Sequence, residues 1–242
     1  MESLETELER ARGLDVAALA DAIESVGFEC TRCGACCTHE TTPEGETEPH
    51  TATVFPAEGR ELQTALGAGD DGDDGDDVQW RDVARPMPYG LSDGESGPEG
   101  ETFEWALQTD ACGDCVFYEE ADGVGACSVH ADRPLICETY PFSVDLDGTT
   151  QPMGKAVDSV QLANQQDDEP AGAAMLAHEC EGLGRDIDRE SAQALAAALK
   201  ERAVRELEEA IAVRENYEPV EPESGEIIVH DSEGAKTADG AP

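Results

Sequence analysis

Apolar residues recur at steps of three and four positions near both ends of the chain, a spacing that predicts amphipathic helices. The first helix is predicted over Leu4–Val26, with Gly13 as a point of interruption. The second is predicted over Asp188–Val213, where Asp188 suits the N-cap position. A shorter helix is predicted over Pro56–Gly67, with the proline in its first turn and the glycine as its stop.

The strand patterns are short and lie in the middle of the chain. Phe103, Trp105 and Leu107 occupy alternate positions, which predicts a strand. Residues 142–154 are typical of a short hairpin with an Asp-Gly turn. Short strands combined with flanking helices predict an α+β fold with a small, irregular core.

Two acidic, glycine-rich stretches interrupt this pattern. Gly69–Asp77 reads GDDGDDGDD, and no register of it gives the ligand positions of an EF-hand calcium loop. Ser92–Glu101 has the same character, so residues 68–101 are predicted to be an insertion rather than part of the core. Beyond Tyr217 the chain is rich in Glu, Pro and Gly, which predicts a disordered tail.

A chain of 242 residues can form one ordinary domain with embellishments or two small ones. The patterns divide it into an N-terminal helix over residues 1–27, a cysteine-bearing domain over residues 28–185 that contains the insertion 68–101, a C-terminal helix over residues 186–216, and a disordered acidic tail over residues 217–242.

Acidic side chains dominate the composition, with 56 Asp and Glu against 15 Lys and Arg and a net charge of −41. Such a charge destabilises a compact state by self-repulsion, which roughly 1 M salt screens because the Debye length there is about 3 Å. Lys155, Lys200 and Lys236 are the only lysines, as expected where strongly hydrated ammonium groups have been thinned out. These features predict a salt-rich cytoplasm, and the negative surface argues against binding to nucleic acid.

The chain carries no evident targeting or membrane signal. Met1–Arg12 alternates acidic, apolar and basic residues, unlike a signal peptide. No stretch approaches 18 consecutive apolar residues, so no membrane span is predicted and a cytoplasmic location is expected. In a reducing compartment, the nine cysteines, an odd number, favour a metal or redox role over disulfides.

The strongest chemical signal is the run CTRCGACC over Cys30–Cys37. Two residues between cysteines let a tight turn direct both sulfur atoms at one ion, and Gly34 allows the backbone to fold closely beside it. Neighbouring side chains such as Cys36 and Cys37 are expected to diverge. The adjacent pair therefore indicates a cluster or two sites rather than one mononuclear site.

The remaining cysteines follow in separate segments: Cys112, Cys115, Cys127, Cys137 and Cys180. Four thiolates suffice for one tetrahedral zinc or one iron–sulfur cluster, so eight cysteines would serve two sites and nine leave a remainder. Ferredoxin-type clusters use a CxxCxxC run with a remote fourth cysteine, whereas zinc ribbons prefer two separated CxxC pairs. The spacing therefore favours an iron–sulfur cluster, with zinc as the other candidate cofactor.

Basic residues stand close to the cysteines in sequence: Arg32, Arg133, Arg185, His39, His130 and His178. The arginines could offset the negative charge of a metal–thiolate centre, or they could pair with the many carboxylates. Each histidine could replace a thiol as a ligand, although a supporting or surface role is the favoured interpretation.

The sequence resembles the YkgJ-like CxxCxxCC family, a zinc- or iron-chelating domain that includes the flagellin lysine N-methylase group. The resemblance rests on CxxCGACC at Cys30–Cys37, on Cys115 with the aromatic pair after it, on the Arg-Pro, cysteine and Tyr-Pro run in Cys127–Pro141, and on Cys180–Gly184. It implies as metal ligands Cys30, Cys33, Cys36, Cys37, Cys115, Cys127, Cys137 and Cys180. Cys112 precedes the family's usual cysteine, so it is expected to stand outside this set.

The resemblance also raises an enzymatic alternative, a protein lysine N-methyltransferase that uses S-adenosylmethionine. The sequence gives little for it, since the radical spacing CxxxCxxC is absent and the glycines of Gly67–Gly69 run directly into aspartates that would repel phosphate. A purely structural zinc protein is a third possibility. A metal ion is the only partner that the residues themselves indicate.

Overall fold

The computed structural model describes residues 3–42, 45–67, 78–94, 97–146, 153, 155–163 and 170–241. Within these residues the helices are α1 (Leu4–Gly13), α2 (Val16–Val26), α3 (Pro56–Gly67), α4 (Trp80–Val83), α5 (Leu135–Thr139) and α6 (Arg189–Asn216), with a 3-10 turn at His130–Asp132. The strands are β1 (Glu40–Thr41), β2 (Thr47–Glu48), β3 (Thr53–Val54), β4 (Ala84–Pro86), β5 (Leu91–Gly94), β6 (Gly97–Thr102), β7 (Trp105–Leu107), β8 (Tyr118–Ala121), β9 (Val124–Cys127), β10 (Phe142–Asp145), β11 (Ala156–Ala163), β12 (Pro170–His178), β13 (Ile227–Asp231) and β14 (Gly234–Thr237). The predicted α+β class is confirmed.

The chain folds as two compact units. The first unit comprises Met1–Cys33 and Leu135–Glu208, and the second comprises Gly34–Pro134 and Glu209–Pro242. The sequence-based division placed residues 28–185 in one domain, whereas the structure distributes these residues between both units. The chain leaves the first unit between Cys33 and Gly34, inside the cysteine run.

The first unit is built on an antiparallel sheet with strand order β10-β12-β11. Phe142 on β10 and Met175 on β12 are fully buried, and helix α2 contacts β11 and β12. Leu19 and Ile23 on α2 are also fully buried, so an apolar helix face and an apolar sheet contribute to the same core.

The helices of the first unit follow the predicted signals. Helix α1 ends at Gly13 and α2 begins at Val16, which confirms the interruption. Asp15 caps α2, since its Oδ1 accepts a hydrogen bond of 2.9 Å from the backbone N–H of Ala18. Asp188 plays the same part for α6, where its Oδ1 accepts from the N–H of Ser191 at 2.9 Å. The predicted C-terminal helix and its N-cap are therefore confirmed.

The second unit contains small sheets with strand orders β3-β7-β4, β14-β13-β6-β5, β8-β9 and β1-β2. The predicted strand through Trp105 and Leu107 is confirmed as β7, and both of these side chains are buried. Helix α3 spans Pro56–Gly67 as predicted and buries Leu62 completely. These two elements supply much of the apolar core of this unit.

The prediction that residues 68–101 lie outside the core is wrong for part of the segment. Val83, Ala84 and Met87 are almost completely buried, and β4 pairs with the buried strand β7. Ser92–Glu101 lies largely within the paired strands β5 and β6. The acidic stretch Gly69–Asp77 lies outside the described residues. Because that stretch is so acidic, the whole of residues 68–101 was assigned to an insertion, including the short apolar segment that follows it.

The predicted disordered tail and the predicted hairpin also need correction. Within residues 217–242, β13 pairs in parallel with β6 and antiparallel with β14, and Val229 is fully buried. The strand β10 at Phe142–Asp145 pairs with β12 rather than with a neighbouring hairpin strand, and the proposed turn at residues 147–148 lies outside the described residues. In the part of the chain that the structure describes, no helix is long and apolar enough to cross a membrane.

Candidate metal centre

The turn after Cys33 is set by a glycine in the second unit. Gly34 has a φ of +79°, a conformation that side chains with a Cβ rarely adopt, and an added Cβ would overlap the phenol of Tyr118. Its carbonyl oxygen accepts hydrogen bonds from the N–H of Cys37 at 2.7 Å and of Thr38 at 3.1 Å. The turn therefore places the Cys36–Cys37 pair beside the strand that begins at Tyr118.

Within this turn, the two adjacent thiols point to the same place. The Sγ atoms of Cys36 and Cys37 lie 3.8 Å apart, so the expectation that these side chains diverge is wrong. Two sulfur ligands of a tetrahedral zinc at about 2.3 Å from the metal would lie about 3.8 Å from each other. The observed separation therefore suits two ligands of one metal ion.

Cys115 and Cys127 are positioned by backbone contacts around the same turn. The N–H of Cys115 donates to the carbonyl of Cys37 at 2.8 Å, and the N–H of Tyr118 donates to the carbonyl of Cys115 at 2.9 Å. Tyr118 is paired with Cys127 in the β8–β9 hairpin. Cys115 is buried and Cys127 is half-buried.

The ionisation of these thiols reflects their proximity. A hydrogen bond with Cys37 lowers the pKa of Cys36 to about 7, and the positive charge of Arg133 acts in the same direction. Burial is the main cause that raises the pKa of Cys115 to about 11, and the charges of Cys127 and Cys36 act in the same direction. Burial also raises the pKa of Cys127, while Arg133 opposes this effect. Arg133 is therefore close enough to stabilise thiolates in the second unit.

In the first unit, the loop that carries Cys180 lies against the segment that leads to Cys30. The N–H of Gly182 donates to the Sγ of Cys180 at 3.4 Å, and the carbonyl of Gly182 accepts from the N–H of Glu29 at 3.1 Å. Phe28 and Leu183 form an antiparallel bridge. A Cβ at position 182 would overlap the carbonyl oxygen of Glu29, so the close approach requires glycine there.

Cys137 is brought to the same region of the first unit by helix α5. Just after this helix, Tyr140 donates a hydrogen bond from its hydroxyl to the carbonyl of Glu179 at 2.6 Å. The carbonyl of Pro141 accepts from the N–H of His178 at 2.9 Å. The end of the helix is thus fastened to the residues that directly precede Cys180.

The remaining cysteine, Cys112, is exposed on a loop of the second unit. Its N–H donates to the Oδ1 of Asp110 at 2.8 Å, and a bridge between Thr109 and Cys115 closes the loop. Asp114 of the same loop accepts hydrogen bonds from His39, two positions after Cys37, so the loop also lies near the Gly34 turn. The expectation that Cys112 stands outside the ligand set stays a prediction.

The histidines near the cysteines have distinct surroundings. His39 has its Nδ1 at 2.7 Å from the Oδ1 of Asp114, which also accepts from the His39 backbone N–H at 2.8 Å. His178 is buried, with its Nε2 at 2.8 Å from the hydroxyl of Ser143 on the neighbouring strand. His130 is exposed at the start of the 3-10 turn. A structural role within the sheet suits His178.

The donor chemistry fits zinc or iron. All nine cysteines lie in the described ranges and none of them forms a disulfide there. Among the described residues, no group of three or more Cys, His, Asp or Glu side chains already surrounds a point that could hold an ion. The thiols nevertheless include the pair at 3.8 Å, and thiolates are the preferred ligands of zinc and of iron–sulfur clusters.

The α+β fold and the cysteine motifs are those of a cysteine-rich, metal-chelating domain. The chain belongs to the CxxCxxCC family, whose model, described as a putative zinc- or iron-chelating domain, matches residues 29–169, more than half of the chain. The family expected from the sequence is thereby confirmed, and with it metal binding by the domain. Cys180 lies beyond the matched residues. No curated protein and no solved structure matches the chain.

Sequence reasoning missed the contacts that organise the turns. Tyr118 was noted only as an aromatic residue after Cys115, and its contact with Gly34 was not anticipated. The bonds from Tyr140 to Glu179 and from Glu29 to Gly182 join segments far apart in the chain. The glycines of the cysteine motifs were the available signal, because a glycine beside a ligand often marks a close backbone approach.

Proposed function

We propose that the protein chelates iron through cysteine thiolates, as an iron–sulfur cluster, and that it serves electron transfer or metal handling. The proposed ligands are Cys30, Cys33, Cys36, Cys37, Cys115, Cys127, Cys137 and Cys180. The observation that carries this proposal is the Cys36–Cys37 pair, whose sulfur atoms lie 3.8 Å apart beside Cys115 and Cys127. Zinc is the alternative metal, in keeping with the description of the family.

The preference for iron rests on the spacing of the cysteines. The closely spaced cysteines of a ferredoxin-type run can supply ligands to two iron–sulfur clusters, whereas zinc ribbons use separated CxxC pairs. Four cysteines supply two thiolates to each iron of a two-iron cluster but one to each iron of a four-iron cluster. The close Cys36–Cys37 pair favours two thiolates on one metal, which suits a two-iron cluster better than a four-iron cluster.

The charged groups of the second unit support a thiolate centre. Arg133 favours the ionised forms of Cys36 and Cys127, and thiolates are the forms that bind metal. The remaining charge of the chain is strongly negative, at −41, which supports a salt-rich cytoplasm as the working environment. Electron transfer and metal handling both fit this assignment, since each requires a centre held by the chain itself.

The identity of the metal is tested on protein purified without oxygen in high salt. The proposal predicts a brown protein with broad visible absorption and with iron and acid-labile sulfide in equal amounts. A colourless protein with stoichiometric zinc would overturn the iron assignment while leaving metal chelation intact. Folded protein that contains neither metal, and takes up neither after reduction, would overturn the proposal as a whole.

A further inference from the structure

We propose that the eight ligands form two separate four-cysteine sites, one within each unit of the fold. The first site consists of Cys30, Cys33, Cys137 and Cys180. The second site consists of Cys36, Cys37, Cys115 and Cys127. This inference rests on the proposed function and adds to it the number of sites and the grouping of their ligands.

The first site is assembled by contacts made within the first unit. The Cys180 loop runs antiparallel to the segment before Cys30, with Gly184 donating from its N–H to the carbonyl of Gly27 at 3.0 Å. On the other side, Tyr140 fastens the helix of Cys137 to Glu179. Three segments distant in sequence are therefore held together by hydrogen bonds close to their cysteines. Cys30 and Cys33 are exposed, so a metal has access to them.

The second site is assembled in the same manner within the second unit. Its four cysteines lie on the Gly34 turn, on the loop bonded to the Cys37 carbonyl and on the hairpin strand paired with Tyr118. Within this group the Sγ atoms of Cys36 and Cys37 lie 3.8 Å apart, a separation that suits two ligands of one metal.

Each unit contains four of the eight proposed cysteine ligands, which is a complete set for one site. Four thiolates complete a tetrahedral zinc or a cluster, so neither unit needs a ligand from the other. The run at Cys30–Cys37 then serves both sites, because the boundary between the units falls between Cys33 and Gly34. The CxxC half belongs to the first site, and the adjacent pair belongs to the second. The odd ninth cysteine is Cys112, which is exposed on its loop.

Paired substitutions test this grouping through metal content and not through activity. The single variants Cys33→Ser and Cys137→Ser are expected to lose one of two metal centres, as is Cys115→Ser. The double variant Cys33→Ser with Cys137→Ser is expected to lose no more than either single variant, since both residues serve one site. Cys33→Ser combined with Cys115→Ser is expected to lose both centres, while Cys112→Ser, the matched control, keeps both.

The outcomes separate this inference from the proposed function. Folded wild-type protein that contains no metal and takes up none after reduction would overturn the proposed function itself. Wild-type protein that binds metal but loses all of it in Cys33→Ser, with the fold retained, would overturn only the division into two sites. A within-unit double variant that loses both centres while the cross-unit double keeps one would likewise overturn the grouping.

A second measurement needs no variant and covers the case in which a substitution prevents folding. Reduced, metal-free wild-type protein receives increasing Zn²⁺ in high salt and is then alkylated with iodoacetamide and weighed intact. With nine cysteines in the chain, the grouping predicts nine labels when no site is filled, five when one is filled and one when both are filled. Peptide mapping of the five-label form should show the four thiols of a single unit protected together. Protection that mixes Cys33 with Cys36 would overturn the inference.

Discussion

Gly34 illustrates how a single residue fixes the geometry of the thiols. Its φ of +79° and its contact with Tyr118 leave no room for a Cβ, so Gly34→Ala should displace the turn that holds Cys36 and Cys37. Strain of this type costs about 1–3 kcal/mol. We expect weaker metal binding at the second site and a lower free energy of unfolding, measured by competition with a zinc chelator and by urea unfolding.

Gly45→Ala is the matched control for this prediction. Gly45 also has a positive φ, of +86°, but a Cβ there would meet no atom within 4 Å. The control therefore carries the backbone strain without the clash against an aromatic ring. Equal metal affinities for the two variants would contradict the role assigned to the contact between Gly34 and Tyr118.

His50 gives the second unit a defined dependence on pH. Burial lowers the pKa of His50 from 6.5 to about 4, with the charge of Arg85 acting in the same direction. In the unfolded chain the imidazole takes up a proton near pH 6.5, so protonation favours the unfolded state as the pH falls from 6.5 to 4. Below about pH 4 the folded form is protonated as well, and this contribution no longer changes.

The measurement compares the urea midpoints of wild type and His50→Gln across that pH range. The wild type should lose more stability than the variant between pH 6.5 and 4, and NMR titration should place the imidazole pKa well below its usual value. Parallel pH profiles of the two proteins would contradict the partly buried, neutral state of His50.

At this scale the sequence predicts the ligand types better than their arrangement. The spacing of Cys30, Cys33 and Cys36 identifies metal-binding chemistry, because such repeats rarely serve another purpose. The 3.8 Å between Cys36 and Cys37 could not be predicted, since it depends on a turn stabilised by a tyrosine more than eighty positions away. Side-chain rotamers depend on tertiary contacts, and the spacing of cysteines along the chain does not reveal these contacts.

Strand β13 lies in the segment that the sequence predicted to be a disordered tail. Asp231 at its end accepts a hydrogen bond of 2.8 Å from the Nε1–H of the buried Trp105 and pairs with Lys236 at 2.8 Å. Asp231→Ala leaves the buried indole N–H without this acceptor, which costs about 1–3 kcal/mol. We expect a reduced free energy of unfolding, measured with urea.

Asp239→Ala provides the control, because Asp239 is exposed and lies 3.8 Å from an exposed arginine, Arg81. Exposed pairs of this kind contribute about 0–1 kcal/mol. Should Asp231→Ala and Asp239→Ala reduce stability equally, the C-terminal strand would not be the integral part of the second unit that the structure describes.

Elements with a strong local period were predictable and those stabilised by distant pairing were not. Helix α6 has 28 residues, and its apolar residues recur at helical steps from Ala192 to Ile211, so its pattern alone identifies it. Strand β13 has five residues within a Glu- and Pro-rich segment, and it pairs in parallel with β6 of residues 97–102. The β-branched run Ile227–Val229, followed by a turn, was a signal for a strand. The Glu- and Pro-rich residues before this run favoured a disordered tail instead.

The charge of the whole molecule predicts a dependence on salt. With a net charge of −41, self-repulsion opposes folding most strongly at low ionic strength. Raising KCl from about 0.1 M to about 1 M shortens the Debye length from about 10 Å to about 3 Å. The melting temperature of the metal-loaded protein should rise over this interval and change less above it. A melting temperature that stays constant or falls between these concentrations would contradict the prediction.

The division into two units was beyond the reach of the sequence patterns. Each unit joins chain segments from before and after residues that belong to the other, so neither corresponds to a continuous stretch with its own composition. The family motif runs across the boundary between Cys33 and Gly34, which concealed the division further. What the sequence did predict, the α+β class and the metal-chelating family, depends on local patterns and residue types.

The central claim is that cysteine sulfur atoms hold the metal, and X-ray absorption at the edge of the bound metal tests it most directly. The wild-type protein, purified without oxygen in high salt, should give a nearest shell of about four sulfur atoms at about 2.3 Å for zinc, with a short metal–sulfur shell likewise expected for iron. The Cys112→Ser variant should give the same spectrum. A nearest shell made of oxygen or nitrogen atoms would contradict the account.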